Sequence, residues 1–331
     1  MKATDSERTD GGATFESDLS RTEMSRTEHY GLLLDQWVLA PARVLAADRR
    51  AVLGAVLIFG HLLMGSIGVL VLDPPRLNEG TAMITAFETL EFPLGTTQQG
   101  TDVLRLVVHG TPNIIKMVAS GAVFAMFVGT AVGFVSGYKG GTADQALMTI
   151  NDIAMTIPGL PLVILLSAIF EPQSAIVVGL ILGINNWSGL ARSVRSQVLT
   201  LRDESYVEAS RIMNTSLRGI LVKDIAPSLM PYILVQFVYS ARRIIFESVG
   251  LYFLGFLPTS VSNWGVTINR AYASTSWYYG LGLHWLVPPL IALITFSLGL
   301  ILLAQGLDRV FNPVIRARHA KTVESDGSEH M

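Results

Sequence analysis

Three charged side chains, Arg242, Arg243 and Glu247, stand inside a long apolar stretch of this 331-residue chain. A charge near the centre of a bilayer costs about 2.5–3.5 kcal/mol on insertion scales, so such residues seldom face lipid. Arg243 and Glu247 are four residues apart and share one helix face, where they can neutralise each other, whereas Arg242 lies about 100° around the helix. We expect either that this helix lines a polar passage, to which Arg242 presents a cation that favours ligands with a carboxylate, or that the three residues form a salt-bridge cluster with a partner subunit.

The other residues capable of chemistry do not combine into a catalytic or metal site. The chain has no Cys, which excludes disulfides, thiolate ligands and Cys nucleophiles. Its six His residues are scattered without the spacing of a metal motif. A net charge of −2 provides no basic field that would attract nucleic acid. No phosphate-binding GxxxxGK[ST] loop occurs either. We expect no catalytic residue, no cofactor and no metal site in this chain.

The composition indicates a membrane protein. Hydrophobic residues make up 50% of the chain and charged residues only 15%, with a mean hydropathy of +0.46. Runs of roughly 20 apolar residues, the length needed to cross a bilayer as a helix, recur along the sequence. They cover residues 51–72, 114–137, 147–170, 174–190, 229–257 and 286–304. The sequence therefore predicts an all-α membrane protein with about six transmembrane helices.

The distribution of Lys and Arg predicts the orientation, because positively charged loops are retained in the cytoplasm. Basic residues cluster before the first apolar run, between the fourth and fifth, and after the sixth. We therefore expect both termini and the 191–228 loop to be cytoplasmic. Residues 73–113 and 258–285, which contain few basic residues, are expected to face outward as extracytoplasmic loops.

The segments outside the apolar core are expected to be tails and a lead-in. Residues 1–29 are rich in charged and hydroxyl residues and predict a disordered cytoplasmic tail. Residues 30–50 suit either an interfacial segment or a plain lead-in to the first helix. Residues 114–306 would form the core transmembrane domain, with a helical loop at about 203–227. Residues 307–331 would form a C-terminal cytoplasmic tail.

Two of the apolar runs carry residues that affect helix packing. Gly129, Gly133 and Gly137 recur every four residues and place small side chains on one helix face, where another backbone can approach closely. Pro158 and Pro161 in the third run remove backbone donors and predict a bend. This bend fits equally well a helix beside a pathway or a kink used for packing.

The long cytoplasmic loop has helical patterning rather than turn composition. A first short helix is predicted at about 204–213, closed by Asn214 in the left-handed conformation. Thr215 or Ser216 can then cap a second helix that leads to Pro227. Such a helix-turn-helix, rich in Ala and Ser, offers small side chains to the groove of a cytoplasmic partner.

This loop resembles the EAA loop of ABC importer membrane subunits, which reads EAA, three residues, G, nine residues and I-x-L-P. The residues that carry the resemblance are Glu208, Ala209, Ser210, Asn214, Ile225, Ala226 and Pro227. Ser210 replaces Ala, Asn214 replaces Gly and Ala226 replaces Leu, and Ile225 lies one residue later than the pattern places its Ile. The resemblance implies that Glu208, Ala209, Ser210, Asn214, Ile225 and Pro227 couple the chain to an ATPase.

Further motifs, over roughly residues 45 to 316, resemble the dipeptide/oligopeptide/nickel permeases, and among them the C-type subunit. They include the FPLGT run at 92–96, GYKGG at 137–141, ARSVR at 191–195 and YVEA at 206–209. The resemblance implies a type I ABC importer permease fold in the plasma membrane of a prokaryote. It also implies one half of a translocation pathway for di- or oligopeptides.

The partners implied are a second, B-type permease subunit, two cytoplasmic ATPases that bind ATP, an extracytoplasmic substrate-binding protein and membrane lipid. Import of another solute, an oligosaccharide or nickel, by the same architecture stays open, as does an ion-coupled secondary transporter. Two residue assignments also stay open. Glu208 suits ATPase docking or pairing with Arg211 on its own helix. The arginines at 192, 195 and 202 suit topology determinants or ATPase contacts.

Overall fold

The structure is a computed structural model whose regular elements, in the part of the chain that it describes, are helices. It describes residue 46, residues 48–274, residue 278 and residues 282–311. The tail predicted at 1–29, most of the lead-in predicted at 30–50, and residues 312–331 of the predicted C-terminal tail lie outside the described residues.

The described helices follow one another with short connections, apart from one long segment after the first helix. In chain order they are α1 (Arg49–Val71), α2 (Val103–Lys139), α3 (Gly141–Thr156), α4 (Gly159–Phe170), α5 (Ala175–Ile184), α6 (Trp187–Leu201), α7 (Ser205–Ile212), α8 (Leu217–Phe253), α9 (Trp264–Ala273) and α10 (Leu283–Phe311). Helix α1 contains a π-helical turn at Met64–Gly68, and α8 contains one at Ile220–Ile225.

Four helices, α1, α2, α8 and α10, are long and apolar enough to cross a membrane alone. The pairs α3 with α4 and α5 with α6 each meet the same criterion together, with bends of 86° and 54° between their members. The described residues therefore contain four to six candidate spans, in agreement with the predicted count of about six.

The bend between α3 and α4 has a clear cause in the sequence. Ile157 and Pro158 separate the two helices, and Ile157 is extended, with ψ at 123°. A residue before proline avoids the α-helical region because the pyrrolidine ring clashes with it, so α3 ends there. The bend predicted from the prolines is confirmed, and it breaks the third apolar run into two helices.

Several helix boundaries differ from those drawn from hydropathy. Helix α2 begins at Val103, not near residue 114, because the Asp102 side chain accepts a hydrogen bond of 2.8 Å from the backbone N–H of Leu104. The loop expected at 73–113 is therefore shorter and ends at Asp102. Helix α6 likewise extends beyond the expected end of the fourth run to Leu201.

The glycine face of α2 packs directly against α6. A Cβ atom on Gly133 would lie 2.7 Å from the carbonyl oxygen of Ala191 and 2.7 Å from Cβ of Val194. Gly129 and Gly137 meet Trp187, Leu190 and Val198 at similarly short distances. The prediction that these glycines allow close helix packing is confirmed. All three glycines contact α6, so α6 packs along the length of this part of α2.

The segment at 73–102, which we call the outer segment, forms an irregular lobe with buried polar side chains. Thr96, Thr97 and Asp102 are all buried. Burial raises the pKa of the Asp102 carboxyl, and this effect outweighs the hydrogen bond from the backbone N–H of Leu104, which lowers the pKa. Nε2 of His284 lies 2.8 Å from the carbonyl oxygen of Thr96. The outer segment is thereby tied to the start of α10.

Candidate functional site

The helix-turn-helix predicted within the 191–228 loop is present, but its second helix does not end near Pro227 and continues as α8 to Phe253. Helix α7 ends at Ile212, and Asn214 adopts the left-handed conformation with φ at 57°. Asn tolerates this conformation better than other non-glycine residues. Ser216 then caps the next helix, since its hydroxyl accepts a hydrogen bond of 3.2 Å from the backbone N–H of Gly219. Two local signals in the sequence therefore set the turn.

One side of this helix-turn-helix is anchored in a hydrophobic cluster. Val207 of α7 and Ile225 of α8 are fully buried, and they pack with Val194 and Val198 of α6. Since a buried aliphatic side chain contributes about 1.5–3 kcal/mol, these contacts hold the loop against the membrane helices. Ile225 is thus a positioning residue for the loop rather than a contact surface.

The opposite side of the helix-turn-helix is open to solvent and carries apolar side chains. Ile212 is 80% exposed and Met213 is 72% exposed. Glu208 and Ala209 are also exposed, as is Asn214. We call this set, Glu208, Ala209, Ile212, Met213 and Asn214, the coupling surface. Large exposed apolar side chains beside a carboxylate are typical of a protein-docking surface.

The remaining residues of the predicted coupling site lie at the margin of that surface. Ser210 and Pro227 are half-buried. Pro227 occupies the first turn of the α-helical part of α8, directly after the π-helical turn. A proline there lacks the N–H that would continue the regular ladder, which accords with the widened turn before it. Sequence reasoning did not anticipate Ile212 and Met213, although their large apolar side chains in a polar loop were the available signal.

Glu208 does not pair with Arg211 on its own helix. Nη2 of Arg211 instead donates a hydrogen bond of 3.2 Å to the carbonyl oxygen of Arg202, and its guanidinium lies 5.5 Å from the ring centroid of Tyr138. Within the described residues, Glu208 has no ion-pair partner. Its carboxylate is thus available to another molecule.

The arginines of α6 have specific partners on α3 that sequence reasoning missed. Nε and Nη2 of Arg195 each donate a hydrogen bond of 2.6 Å to the carboxylate of Asp144, which also accepts from the hydroxyl of Ser136. Nη2 of Arg192 donates to Asp152 at 2.5 Å. Forked guanidinium–carboxylate bonds of this kind are geometrically demanding. Arg192 and Arg195 therefore join α6 to α3, whatever their effect on topology.

In the membrane, Arg243 and Glu247 meet through a third residue. Nη1 of Arg243 donates a hydrogen bond of 3.2 Å to Oδ1 of Asn186, and Nδ2 of Asn186 donates one of 3.1 Å to Oε2 of Glu247. The direct ion pair expected from their spacing is absent within the described residues. Because Asn186 lies at the break between α5 and α6, the bridge joins that break to α8.

A polar cavity of about 240 Å³ adjoins this bridge. Its described lining includes Asn186, Ser193, Gln236, Tyr239 and Arg243. Arg242 does not line it; the side chain is exposed and has no hydrogen-bond or ion-pair partner within the described residues. The geometry therefore directs Arg243 to the cavity and Arg242 to a neighbouring exposed face of α8.

A bundle of apolar helices, with two bent helix pairs and a helix-turn-helix packed against one end, is the architecture of a multi-pass membrane protein. Residues 129–317 match the family described as binding-protein-dependent transport system inner membrane component. The chain belongs to this family.

Curated relatives share part of the sequence. The chain is 31% identical over 185 residues to the oligopeptide transport system permease protein OppC of Bacillus subtilis, a match that covers 56% of this chain and 60% of the relative. It is 29% identical over 226 residues to the dipeptide transport system permease protein DppC of Lactococcus lactis subsp. cremoris, covering 67% and 64%. It is 28% identical over 246 residues to the glutathione transport system permease protein GsiD of Pectobacterium atrosepticum, covering 74% and 78%. The chain thus spans less than two thirds of the length of the first two.

Proposed function

We propose that this chain is the C-type permease subunit of an ATP-driven importer and forms half of a translocation pathway for di- or oligopeptides. The substrate class is supported by the names of the three relatives above, which concern an oligopeptide, a dipeptide and the tripeptide glutathione. Oligosaccharide or nickel import by the same architecture is the alternative that substrate assays would separate.

The proposed assembly contains a second, B-type permease subunit, two cytoplasmic ATPases and an extracytoplasmic binding protein. The chain would cross the cytoplasmic membrane of a prokaryote with both termini inside. The basic residues of the 191–228 loop support this orientation, because positively charged loops are retained in the cytoplasm. ATP would be bound by the ATPases.

The coupling surface is the observation that carries this proposal. It presents the free carboxylate of Glu208 beside the exposed side chains of Ile212 and Met213, while the other side of α7 is buried through Val207. Because the exposed side of α7 carries apolar side chains and the opposite side is packed against other helices, a partner that binds the exposed side can displace those helices when it moves. Exposure alone would suit any partner, but the EAA-like sequence of the same residues favours an ATPase.

The proposed mechanism is a lever. Movement of a docked ATPase would displace α7, and the buried contacts of Val207 and Ile225 with α6 would pass that displacement to the membrane helices. Helix α6 is packed along the glycines of α2 and joined to α3 by Arg195 and Asp144. The helices would therefore move as a group and switch the pathway between inward and outward openings.

We propose further that α8 lines the pathway. Arg242, which is exposed and does not line the cavity at Arg243, would present a cation to substrates that carry a carboxylate, while Asn186 joins Arg243 to Glu247. Arg242→Ala is then expected to reduce peptide uptake while the complex still assembles. Loss of assembly without a selective transport defect would support a salt-bridge cluster at the subunit interface instead.

Affinity purification of the tagged chain in mild detergent, with mass spectrometry of the proteins recovered, tests the assembly. We expect two ATPases and a second permease with the wild type, and loss of the ATPases with Glu208→Arg. Glu91→Arg makes the same charge change on an exposed residue of the outer segment and is expected to retain them. A chain that purifies alone with full transport activity would indicate a secondary transporter.

A further inference from the structure

A further cavity lies away from both sites above, between the outer segment, α9 and the start of α10. It has a volume of about 690 Å³ and is lined by residues of all three elements, among them Arg76, Gln99, Asn269, Arg270 and Trp285. This volume falls within the usual range of about 300–1,000 Å³ for small-ligand sites. The cavity is therefore large enough for a ligand of a few residues.

Its lining is rich in donors and lacks acids. Arg76 and Arg270 are cationic, and the described lining contains no Asp or Glu. The nearby carboxylates of Glu79 and Asp102 are already paired with Arg105, at 2.9 Å and 3.3 Å. Within the described residues neither Arg76 nor Arg270 has an ion-pair partner. The two guanidinium groups of the lining are thus without a carboxylate partner among the described residues, although Arg105 is shared between two carboxylates.

Trp285, which also lines the cavity, has an unsatisfied hydrogen-bond donor. The residue is only 3% exposed, and its indole N–H is one of several buried polar groups that have no hydrogen-bond partner among the described residues. A buried polar group without a partner costs about 1–3 kcal/mol, so such groups are rare and need an explanation. An indole nitrogen can only donate, which means that the missing partner is an acceptor.

We propose that this cavity binds the carboxylate of a short peptide, with Arg270 and Arg76 providing charge and the Trp285 N–H donating a hydrogen bond. A carboxylate is the acceptor that satisfies both an unpaired guanidinium and an unpaired N–H. The inference that the ligand is a peptide rests on the proposed function. The inference that the ligand carries a carboxylate rests on the residues of the cavity alone. The site is separate from Arg242 and the membrane cavity at Arg243.

Isothermal titration calorimetry on the purified complex in lipid nanodiscs tests the site with two matched probes. N-acetyl-trialanine carries a free carboxylate, and its C-terminal amide carries none. We expect the acid to bind at least about tenfold more tightly than the amide, since hydrogen bonds to a charged group are the stronger ones. Equal binding of the two probes, or no binding of either, would overturn the proposal.

Variants place the binding in this cavity. Trp285→Phe removes the N–H but keeps an aromatic ring to pack with Val103 and Ala271, and Arg270→Gln removes one charge. Each is expected to weaken binding of the acid about five- to tenfold and to leave the amide unchanged. The control is Arg50→Gln, which neutralises an arginine at the start of α1 that does not line the cavity. This variant is expected to bind the acid as tightly as the wild type does. Wild-type affinity in both cavity variants would contradict the site.

ATP-driven peptide uptake by the same complex in proteoliposomes separates this proposal from the proposed function. If the complex takes up peptides with ATP but binds the acid and the amide equally, the proposed carboxylate site is wrong and the proposed importer function stands. If the complex binds the acid more tightly than the amide through Trp285 but shows no ATP-driven uptake of peptides, the carboxylate site stands and the proposed importer function is wrong.

Discussion

At the scale of single residues, the coupling site depends on backbone conformation as much as on side-chain chemistry. Asn214 occupies the left-handed region in the turn that joins α7 to α8, and Glu208 and Met213 are exposed on the α7 side of this turn. Because few side chains tolerate that conformation, the identity of residue 214 controls the geometry of a surface to which several other residues contribute.

Substitution of Asn214 tests this dependence. Asn214→Gly is expected to retain ATPase binding, because glycine adopts positive φ without strain. Asn214→Val is expected to cost on the order of 1–2 kcal/mol in the turn and to weaken ATPase binding. Co-purification of the ATPases with each variant provides the measurement, and equal recovery with Gly and Val would show that the turn conformation does not matter.

The forked contact between Asp144 and Arg195 leads to a second expectation at this scale. Both side chains are partly shielded, at 15% and 30% exposed, so their interaction should exceed that of a surface ion pair. We expect a coupling free energy of about 1–2 kcal/mol in a double-mutant cycle of Asp144→Asn and Arg195→Gln, from the unfolding free energies in detergent. Additive effects of the two substitutions would mean that the pair does not join α3 to α6.

At the scale of elements, the sequence predicted what depends on local chemistry and missed what depends on distant partners. The helix before Asn214 and the close packing at Gly133 followed from local signals, and both are present. The start of α2 was placed too late because its first turns carry Arg105 and His109, and a hydropathy window detects apolar residues rather than helix caps. The bridge through Asn186 required three residues from distant segments, which no spacing rule connects.

The contact between α2 and α6 gives a prediction with a matched control. Gly133→Ala places a methyl group 2.7 Å from the carbonyl oxygen of Ala191, so the helices must separate and the midpoint of thermal unfolding should fall. Gly60→Ala, within α1, meets no atom within 4 Å and is expected to leave the midpoint unchanged or raise it.

Fluorescence-detected thermal unfolding of both variants in detergent provides the comparison. If Gly133→Ala unfolds at or above the wild-type temperature, the close approach of α2 and α6 does not contribute to stability. The proposed transmission of displacement from α7 through α6 would then lose its rigid support.

At the scale of the whole molecule, the features divide between two ends of the helical bundle. The coupling surface and its buried base lie at one end, and the outer segment with its donor-rich cavity precedes α2 at the other end of that helix. Between them lie the broken helices and the Asn186 bridge. Such an arrangement allows an event at the coupling surface to alter a pathway without direct contact between the two ends.

ATP-dependent peptide uptake by the reconstituted complex tests this account most directly. Wild type and Glu91→Arg are expected to take up peptide only with ATP, whereas Glu208→Arg is expected to lose at least about tenfold of that uptake, because it reverses a charge on the docking surface. Uptake by Glu208→Arg at the wild-type rate, or uptake by the wild type without ATP, would contradict the claim that this chain is driven through its coupling surface.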